Sequence, residues 1–323
     1  MSDSRVLIVG AGMAGLTAAR RLQAQGIDSV VVDKGRVVGG RIASRRAGEA
    51  RFDHGAQHFS ARSAEFAAAV ETWAQQGLVR EWFRSASITD PKRGVEPRYV
   101  GTDGMRRIIE RLADGLDVRT SVAIDRLEAA GGGVGAVAGD DVVANAAVAI
   151  LTPPVPQTRH LLEASGIRCP DDVRVMLEEV EYSACLAVMA QLDGPSGLTD
   201  GHQSLSEGPV AWIADNHQKG VSASPAVTVH STPEFAAAHL DADPERWAPL
   251  LSEAAGLHLE SEIIEATTHR WRYAQPLNTF DVGAIGFHAS FPVVLAGEVF
   301  SGARVEGAYT SGVAAASAAL GFL

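Results

Sequence analysis

The sequence predicts an α/β fold in which a parallel sheet draws on both ends of the chain and an α+β unit is inserted between them. Three observations carry this. A β-branched run, Arg5–Val9, leads directly into Gly10-Ala11-Gly12-Met13-Ala14-Gly15 and a helical stretch, so the chain opens as strand, tight turn and helix. A second buried-strand run, Val293–Ala296, precedes a helix of small residues, Val305–Leu320, near the other end. Between about 157 and 265, strand patterns come first and helix patterns follow, the order of an α+β unit.

In chain order, Met13–Gln25 reads as a helix closed by Gly26, and Ser29–Asp33 as the second strand. Ser63–Gly77 is amphipathic, with Phe66, Val70 and Trp73 on one face, and Asp103 starts a helix that turns Ile108, Ile109 and Leu112 inward. Val118–Leu127, Val134–Val137 and Val142–Leu151 read as strands, with Gly131-Gly132-Gly133 as a turn. The proline cluster Thr152–Pro156 ends regular structure and reads as a crossing between domains. Beyond it, Cys185–Leu192, Val210–Ile213 and Ala226–His230 are strand candidates, and Pro233–Leu240 and Pro244–Leu257 helix candidates.

Composition excludes several classes. A chain of 323 residues has room for two domains, and its net charge of −11 opposes binding to nucleic acid or anionic lipid. Two cysteines, Cys169 and Cys185, form no disulfide framework or metal spacing, and ten histidines include no H-E-x-x-H. The apolar run Val6–Ala19 lacks a basic leader and carries nucleotide-loop glycines, so a soluble cytoplasmic protein is expected, with no membrane partner.

The hexapeptide from Gly10 is a G-x-G-x-x-G motif. Its first glycine permits the tight turn, its second lets backbone approach a pyrophosphate, and its third lets helix and strand pack closely. The following helix start offers N–H groups and positive dipole to a diphosphate. Asp33, 18 residues beyond Gly15, ends the second strand, where a carboxylate accepts from ribose hydroxyls. Three further features separate FAD from NAD. Gly39-Gly40-Arg41 follows closely, with Arg41 able to reach a diphosphate. Asp53-His54-Gly55-Ala56-Gln57 offers small residues for passage of a flat ring. Leu295-Ala296-Gly297-Glu298 places a carboxylate before the Val305 helix, whose dipole can face a flavin pyrimidine. With no cysteine near that last motif, the FAD is expected to be non-covalent.

The chain resembles the flavoprotein superfamily of amine oxidases, phytoene desaturases and renalases, and bacterial renalases most of all. The resemblance rests on Asp33-Lys34, Gly39-Gly40-Arg41, Gly55-Ala56-Gln57 with Phe59 and Ala61-Arg62, and Val100-Gly101 with Gly104-Met105. It continues through His269-Arg270-Trp271 with Tyr273-Ala274 and Pro276, and Arg304-Val305-Glu306-Gly307-Ala308. The implied fold is a Rossmann-type FAD-binding domain, p-hydroxybenzoate hydroxylase or amine oxidase-like, over 1–62, 97–156 and 266–323. The substrate domain then spans 63–96 and 157–265.

The implied activity is an oxidase of misreduced dihydronicotinamide dinucleotides, the 2- and 6-dihydro isomers of NAD(P)H. Hydride passes to flavin N5 and the electrons to O₂, giving NAD(P)⁺ and hydrogen peroxide. Loss of hydride makes the ring aromatic, so positioning is the main requirement and no catalytic acid–base residue is expected. The resemblance assigns FAD contacts to Gly10, Gly12, Met13, Ala14, Gly15, Asp33, Lys34, Gly40, Arg41, Gly55, Ala56, Gln57 and His58. It adds Val122 (adenine, through its backbone), Thr152, Gly297, Glu298 and Val305. The substrate side takes His58, Phe59, Ser60, Ala61, Arg62, Tyr99, Val100, Ser183, Trp271, Tyr273 and Arg304, with Arg62 and Arg304 suited to a diphosphate. No metal ligands are expected.

Three positions depart from the pattern: Glu298 where aspartate is usual, His58 where bacterial relatives carry tyrosine, and Ala184 where aromatic bulk is expected. Trp271 and Tyr273 suit core packing and pocket wall equally, and Trp212 and Asn216 are weaker candidates from the second domain. His230 and His269 read as structural histidines, and Glu49 and Asp53 as solvated or structural. Two other functions stay open: a flavin amine oxidase, disfavoured by only 6% aromatic residues, and a redox-silent FAD-binding protein.

Overall fold

The computed structural model describes residues 5–86 and 94–323. They form two compact units. The first comprises the chain up to Gly40, Ile109–Glu181 and Pro276–Leu323; the second comprises Arg41–Ile108 and Tyr182–Gln275. Relative to the expected boundaries, 41–62, 97–108 and 266–275 belong with the second unit and 157–181 with the first.

The first unit is built on a six-stranded sheet, in the order Ile285–His288, Pro292–Leu295, Val148–Leu151, Val6–Val9, Ser29–Val32 and Asp117–Arg119. All pairings are parallel except the first, which is a hairpin. Val6–Val9 is buried along its whole length, which explains its unbroken β-branched and aliphatic composition. The opening helix, Met13–Ala24, and the C-terminal helix, Val305–Leu320, pack on each other through small residues. A Cβ on Gly312 would lie 2.4 Å from the Ala14 carbonyl oxygen and 2.8 Å from Thr17 Cβ, so only glycine allows this approach.

Two expected strands divide. Val118–Leu127 separates into Asp117–Arg119 and Arg126–Ala130, because Ser121 adopts φ +60° and the chain turns back. The N–H groups of Ser121 and Val122 there bond to the carbonyls of Gly35 and Asp33. Val142–Leu151 divides at Ala147: Asp141–Ala146 joins a three-stranded antiparallel sheet, while Val148–Leu151 joins the parallel one. The Gly131–Gly133 turn lies where expected, between two strands of the antiparallel sheet.

The proline cluster is not a crossing. Pro154 caps a helix, Val155–Ala164, and Pro156 sits in its first turn, where a missing N–H costs nothing. The first unit then continues through a helix at Asp171–Glu178. The helix expected from Asp103 starts at Arg106, after Gly104 turns the chain at φ +97°.

The second unit has a five-stranded sheet ordered His202–Ser204, Val210–Asp215, Ala226–Ser231, Tyr182–Leu192 and Ile263–Pro276. Helices Pro233–His239 and Pro244–Gly256 flank it, burying Trp247 and Leu251 against Leu186, Val188 and Val229. Two hairpins complete the unit: Ser44–Ala47 with Ala50–Asp53, and Val79–Ala86 with Val95–Gly101. The helix Ala64–Gln75 follows an N-cap at Ser63, whose Oγ accepts from Phe66 N, and it buries Phe66, Val70 and Trp73 as its periodicity predicts.

Gly312→Ala is expected to lower stability despite alanine's better helix propensity. The added methyl meets backbone, which cannot rotate away, and overpacking of this kind costs about 1–3 kcal/mol. Thermal unfolding checks this: a midpoint equal to or above wild type would show that the helices separate freely.

Candidate functional site

In the first unit the glycine motif makes a cradle. Gly10 adopts φ +110°, and a Cβ there would lie 2.3 Å from Thr152 Oγ1. Thr152 itself ties back to the first strand, its Oγ1 donating to the Val9 carbonyl at 2.9 Å. A Cβ on Gly15 would stand 2.0 Å from the Gly10 carbonyl oxygen, the close packing expected of the third glycine. At Gly12, by contrast, nothing lies within 4 Å of an added Cβ. Gly12 also occupies the N-cap and offers no side-chain cap, so the helix N-terminus faces open space.

Asp33 organises this cradle. Its Oδ2 accepts from Ala11 N at 2.6 Å and its Oδ1 from Gly35 N at 2.6 Å. Gly39 N bonds to the Ala11 carbonyl at 3.0 Å, and Gly40, at φ +54°, sits 3.6 Å from Gly12 Cα measured from an added Cβ. Met13 and Ala14 are buried, and Lys34 is exposed. Gly297, at φ +141°, donates its N–H to Ser311 Oγ at 2.8 Å, and Glu298 beside it is buried. Val305 opens the C-terminal helix immediately after the exposed Arg304.

In the second unit the segment Asp53–Gln57 is pinned throughout. The Ala56 N–H bonds to the Arg41 carbonyl at 2.8 Å, and a Cβ on Gly55 would clash with that carbonyl at 2.1 Å. Arg41 Nη1 lies 3.4 Å from the Tyr273 carbonyl. The His54 carbonyl accepts from His230 Nε2 at 3.0 Å and Trp271 Nε1 at 2.8 Å. Trp271 and His269, two apart on an extended strand, therefore share a face against His54. Tyr273 packs edge-on to Tyr182, and Ser183 Oγ donates to the Gln275 carbonyl at 3.3 Å.

Asp53 is fully buried and 2.8 Å from Lys219 Nζ, an equally buried cation. Sequence reasoning missed Lys219, because a lysine in a turn carries no spacing signal. Asn216 is also structural, its Oδ1 accepting from Asp53 N at 3.0 Å.

The remaining substrate-side residues fall into a packed layer and a charged cluster. Phe59 and Val100 are buried, and Phe59 exchanges backbone hydrogen bonds with Tyr99. Arg62 grips Glu96 through Nε at 3.2 Å and Nη2 at 2.9 Å, while Arg98 Nη1 reaches the same carboxylate at 3.2 Å. Arg98 also bonds to Ser60 Oγ and to the Ser85 and Ala86 carbonyls. The two guanidiniums hold the Glu96 carboxyl below the usual carboxylate range, Arg62 contributing most.

The low aromatic content was a poor guide to clustering. His58, Trp82, Phe83, His202 and Trp212 come together, with Phe83 and Trp212 stacked on His202 at 3.9 and 4.9 Å. The cluster draws on three separate stretches of the sequence, so only the hairpin and sheet pairing reveal it. A groove of about 450 Å³ elsewhere in this unit, between Leu205–Val210 and Ala254, Leu257 and His258, contains none of the expected site residues.

Residues 8–73 match the NAD(P)-binding Rossmann-like domain, and residues 73–320 match the flavin-containing amine oxidoreductase family. The chain belongs to that family. Its fold is similar to putrescine oxidase with bound putrescine at 16% identity, TM-score 0.71, covering 99% of both chains. It is also similar to a putative protoporphyrinogen oxidase from Exiguobacterium at 13% identity, TM-score 0.74, covering 99% of this chain and 100% of that one. Cyclohexylamine oxidase from Brevibacterium oxydans matches at 14% identity, TM-score 0.68, covering 98% of each chain.

The protein is thus an FAD-dependent oxidoreductase, and its residues fit the cofactor. The open Gly12 position and uncapped helix suit a diphosphate, and Gln57 Oε1 is buried without a partner among the described residues, as an acceptor awaiting a donor. Burial pushes the Cys185 thiol up to about 12 and raises Cys169 also, so neither is a thiolate near neutrality. Among the described residues no helix is long and apolar enough to cross a membrane, and no cluster of His, Cys, Asp or Glu is placed to hold a metal.

Asp33→Ala releases two loop N–H groups at once. Hydrogen bonds to a charged group contribute roughly 1.5–3 kcal/mol each, so FAD affinity should fall by at least about ten-fold. Fluorescence titration of apoprotein measures this, and wild-type affinity would mean that the cradle forms without the carboxylate.

The buried histidines set an acid limit. Burial lowers His54 to about 3 and His230 to about 4, while in the unfolded chain both titrate near 6.5. The unfolded state therefore binds more protons on acidification, and stability complete above pH 6.5 is lost as pH falls toward 4 and 3. Melting temperature should drop steadily below pH 6.5. His230→Gln, which keeps a donor for the His54 carbonyl, should flatten that decline, and an unchanged acid limb would exclude His230 as a contributor.

Proposed function

We propose that this enzyme oxidises anionic dihydronicotinamide dinucleotides, the 2- or 6-dihydro isomers of NAD(P)H, with O₂ as electron acceptor. In this reading Gly10, Gly12, Met13, Ala14 and Gly15 take the FAD diphosphate, with Thr152 closing the turn. Asp33 then accepts from ribose hydroxyls with the lone pairs its loop bonds leave over, and Lys34, Gly40 and Arg41 add positive charge and close backbone. Val122 commits its N–H to the Asp33 carbonyl, so its adenine contact runs through the carbonyl. Gly55, Ala56, Gln57 and His58 serve the flavin ring, and Gly297, Glu298 and Val305 its ribityl and pyrimidine. Bound FAD supplies a two-electron acceptor that O₂ can regenerate, with release of hydrogen peroxide.

The guanidiniums of Arg62 and Arg98 carry the substrate assignment. Both bond to the Glu96 carboxylate, and Arg98 also reaches Ser60 Oγ, so two guanidiniums are held beside Ser60 and Ala61. The other carboxylate of this segment, Asp53, is already neutralised by Lys219. Planar guanidiniums suit the oxygens of a diphosphate, whereas an ammonium substrate meets two carboxylates, Glu96 and Asp53, that already have cations. Arg304 is the further guanidinium that this reading gives to the substrate diphosphate. Aromatisation of the ring supplies the driving force, so the protein needs to orient the substrate and exclude water, and no acid–base pair is required.

One observation favours a second reading, a flavin amine oxidase. The five-ring cluster of His58, Trp82, Phe83, His202 and Trp212 is the electron-rich surface on which a cationic amine packs well. Anaerobic mixing separates the two. Dihydronicotinamide isomers should bleach the flavin rapidly and 4-dihydro-NADH far more slowly, since hydride transfer needs reacting atoms roughly 3–3.5 Å apart. Arg62→Ala should weaken a dinucleotide more than a dihydronicotinamide riboside. Bleaching by a primary amine alone establishes the amine oxidase, and bleaching by neither establishes a redox-silent protein.

A further inference from the structure

Lys219 is a buried cation for which the proposed chemistry has no use. Its side chain and that of Asp53 are both 0% exposed, with 2.8 Å between Nζ and Oδ2. The ammonium also lies 5.0 Å from the centroid of the Trp82 ring. A buried ammonium is costly unless paired, so the turn that carries it is firmly built. Asp215 Oδ1 accepts from His217 N at 2.8 Å and Gln218 N at 2.9 Å, and Arg80 donates to the Lys219 carbonyl.

Asp53 converts that pair into a position for its neighbours. Its Oδ1 accepts from Ser44 Oγ at 2.5 Å and from Met105 N at 2.9 Å, leaving Oδ2 for Lys219. Its carbonyl accepts from Thr228 Oγ1 at 2.9 Å and from Gln57 Nε2 at 2.6 Å. The same Gln57 nitrogen donates to the Gly55 carbonyl at 3.1 Å. Both partners are carbonyls, which only accept, so the orientation of the Gln57 amide is fixed. Its Oε1 is thereby turned away from them, buried and without a partner among the described residues. A buried acceptor left unmade is costly, which points to a donor supplied from outside the protein.

We infer that Lys219 is a positioning residue: its ion pair with Asp53 fixes the Asp53–Gln57 segment so that Gln57 Oε1 is presented to a donor of the flavin. The inference rests on the assignment of Gln57 to FAD made above. Lys219 touches neither cofactor nor substrate in this role and acts only through Asp53. A merely stabilising pair affects melting alone, whereas a positioning pair also changes how the apoprotein receives FAD.

The test is a double-mutant cycle on the full-length apoprotein, read by FAD titration and by the visible spectrum of the bound flavin. Lys219→Met should weaken FAD binding at least ten-fold and shift the flavin absorption bands, and Gln57→Leu should do the same. The combined variant should lose no more than about two-fold beyond the worse single variant, since both act at one contact. If Lys219→Met does not fold, Asp53→Asn/Lys219→Met removes both buried charges and carries the same comparison with Gln57→Leu. A lowered melting point with FAD affinity and spectrum unchanged overturns the inference, as do losses that multiply. Wild-type FAD affinity in Gln57→Leu overturns the Gln57 assignment together with it, whereas weakened binding there with none in Lys219→Met overturns this inference alone.

Discussion

The nucleotide-binding unit depends on one carboxylate. Asp33 joins the end of the second strand to the glycine loop through Ala11 and to its own turn through Gly35. Its backbone accepts from Val122 and donates to the Arg119 carbonyl, so the edge strand is set by the same residue. The glycine spacing then follows. With Ala11 held, Gly15 must pack on Gly10, and no side chain fits between them. The open helix N-terminus is the product of that packing, and a diphosphate site follows without any cationic side chain in the motif itself.

Much of this was legible in the sequence because local chemistry determines it. The G-x-G-x-x-G unit, the buried first strand and the Val305–Leu320 helix all follow from residues adjacent in the chain. Errors arose where distant residues decide. Nothing local marks Ser121 as left-handed or Ala147 as the point where one continuous β pattern is divided between two sheets. The proline cluster at 152–156 carried a breaker signal, yet prolines at a helix start and at a domain crossing look alike until the following helix is seen. Asp53 was readable as structural, but not its partner, since Lys219 lies in a distant turn.

The second unit manages charge differently from the first. Two of its interior carboxylates are matched to cations at close range, Asp53 by Lys219 and Glu96 by two arginines, while Asp215 accepts from N–H and hydroxyl groups. Desolvation above all lowers the pKa values of His54, His230 and His269. The strongly acidic total charge therefore says little about this region. Net charge describes long-range behaviour, whereas a ligand meets the local count of guanidiniums and carboxylates.

The order in which segments enter the first sheet has a consequence for biosynthesis. Val6–Val9 lies between Ser29–Val32 and Val148–Leu151, and Pro292–Leu295 adds beyond that. Val6–Val9 is synthesised nearly three hundred residues before Pro292–Leu295, so the sheet stays incomplete over that whole interval. The helix that covers Ala14 and Thr17, Val305–Leu320, is made later still. Such long-range pairing slows folding and leaves apolar surface exposed during synthesis. Nascent chains truncated before residue 292 should therefore depend on chaperones, and cofactor capture belongs to chains that already include residues 292–320.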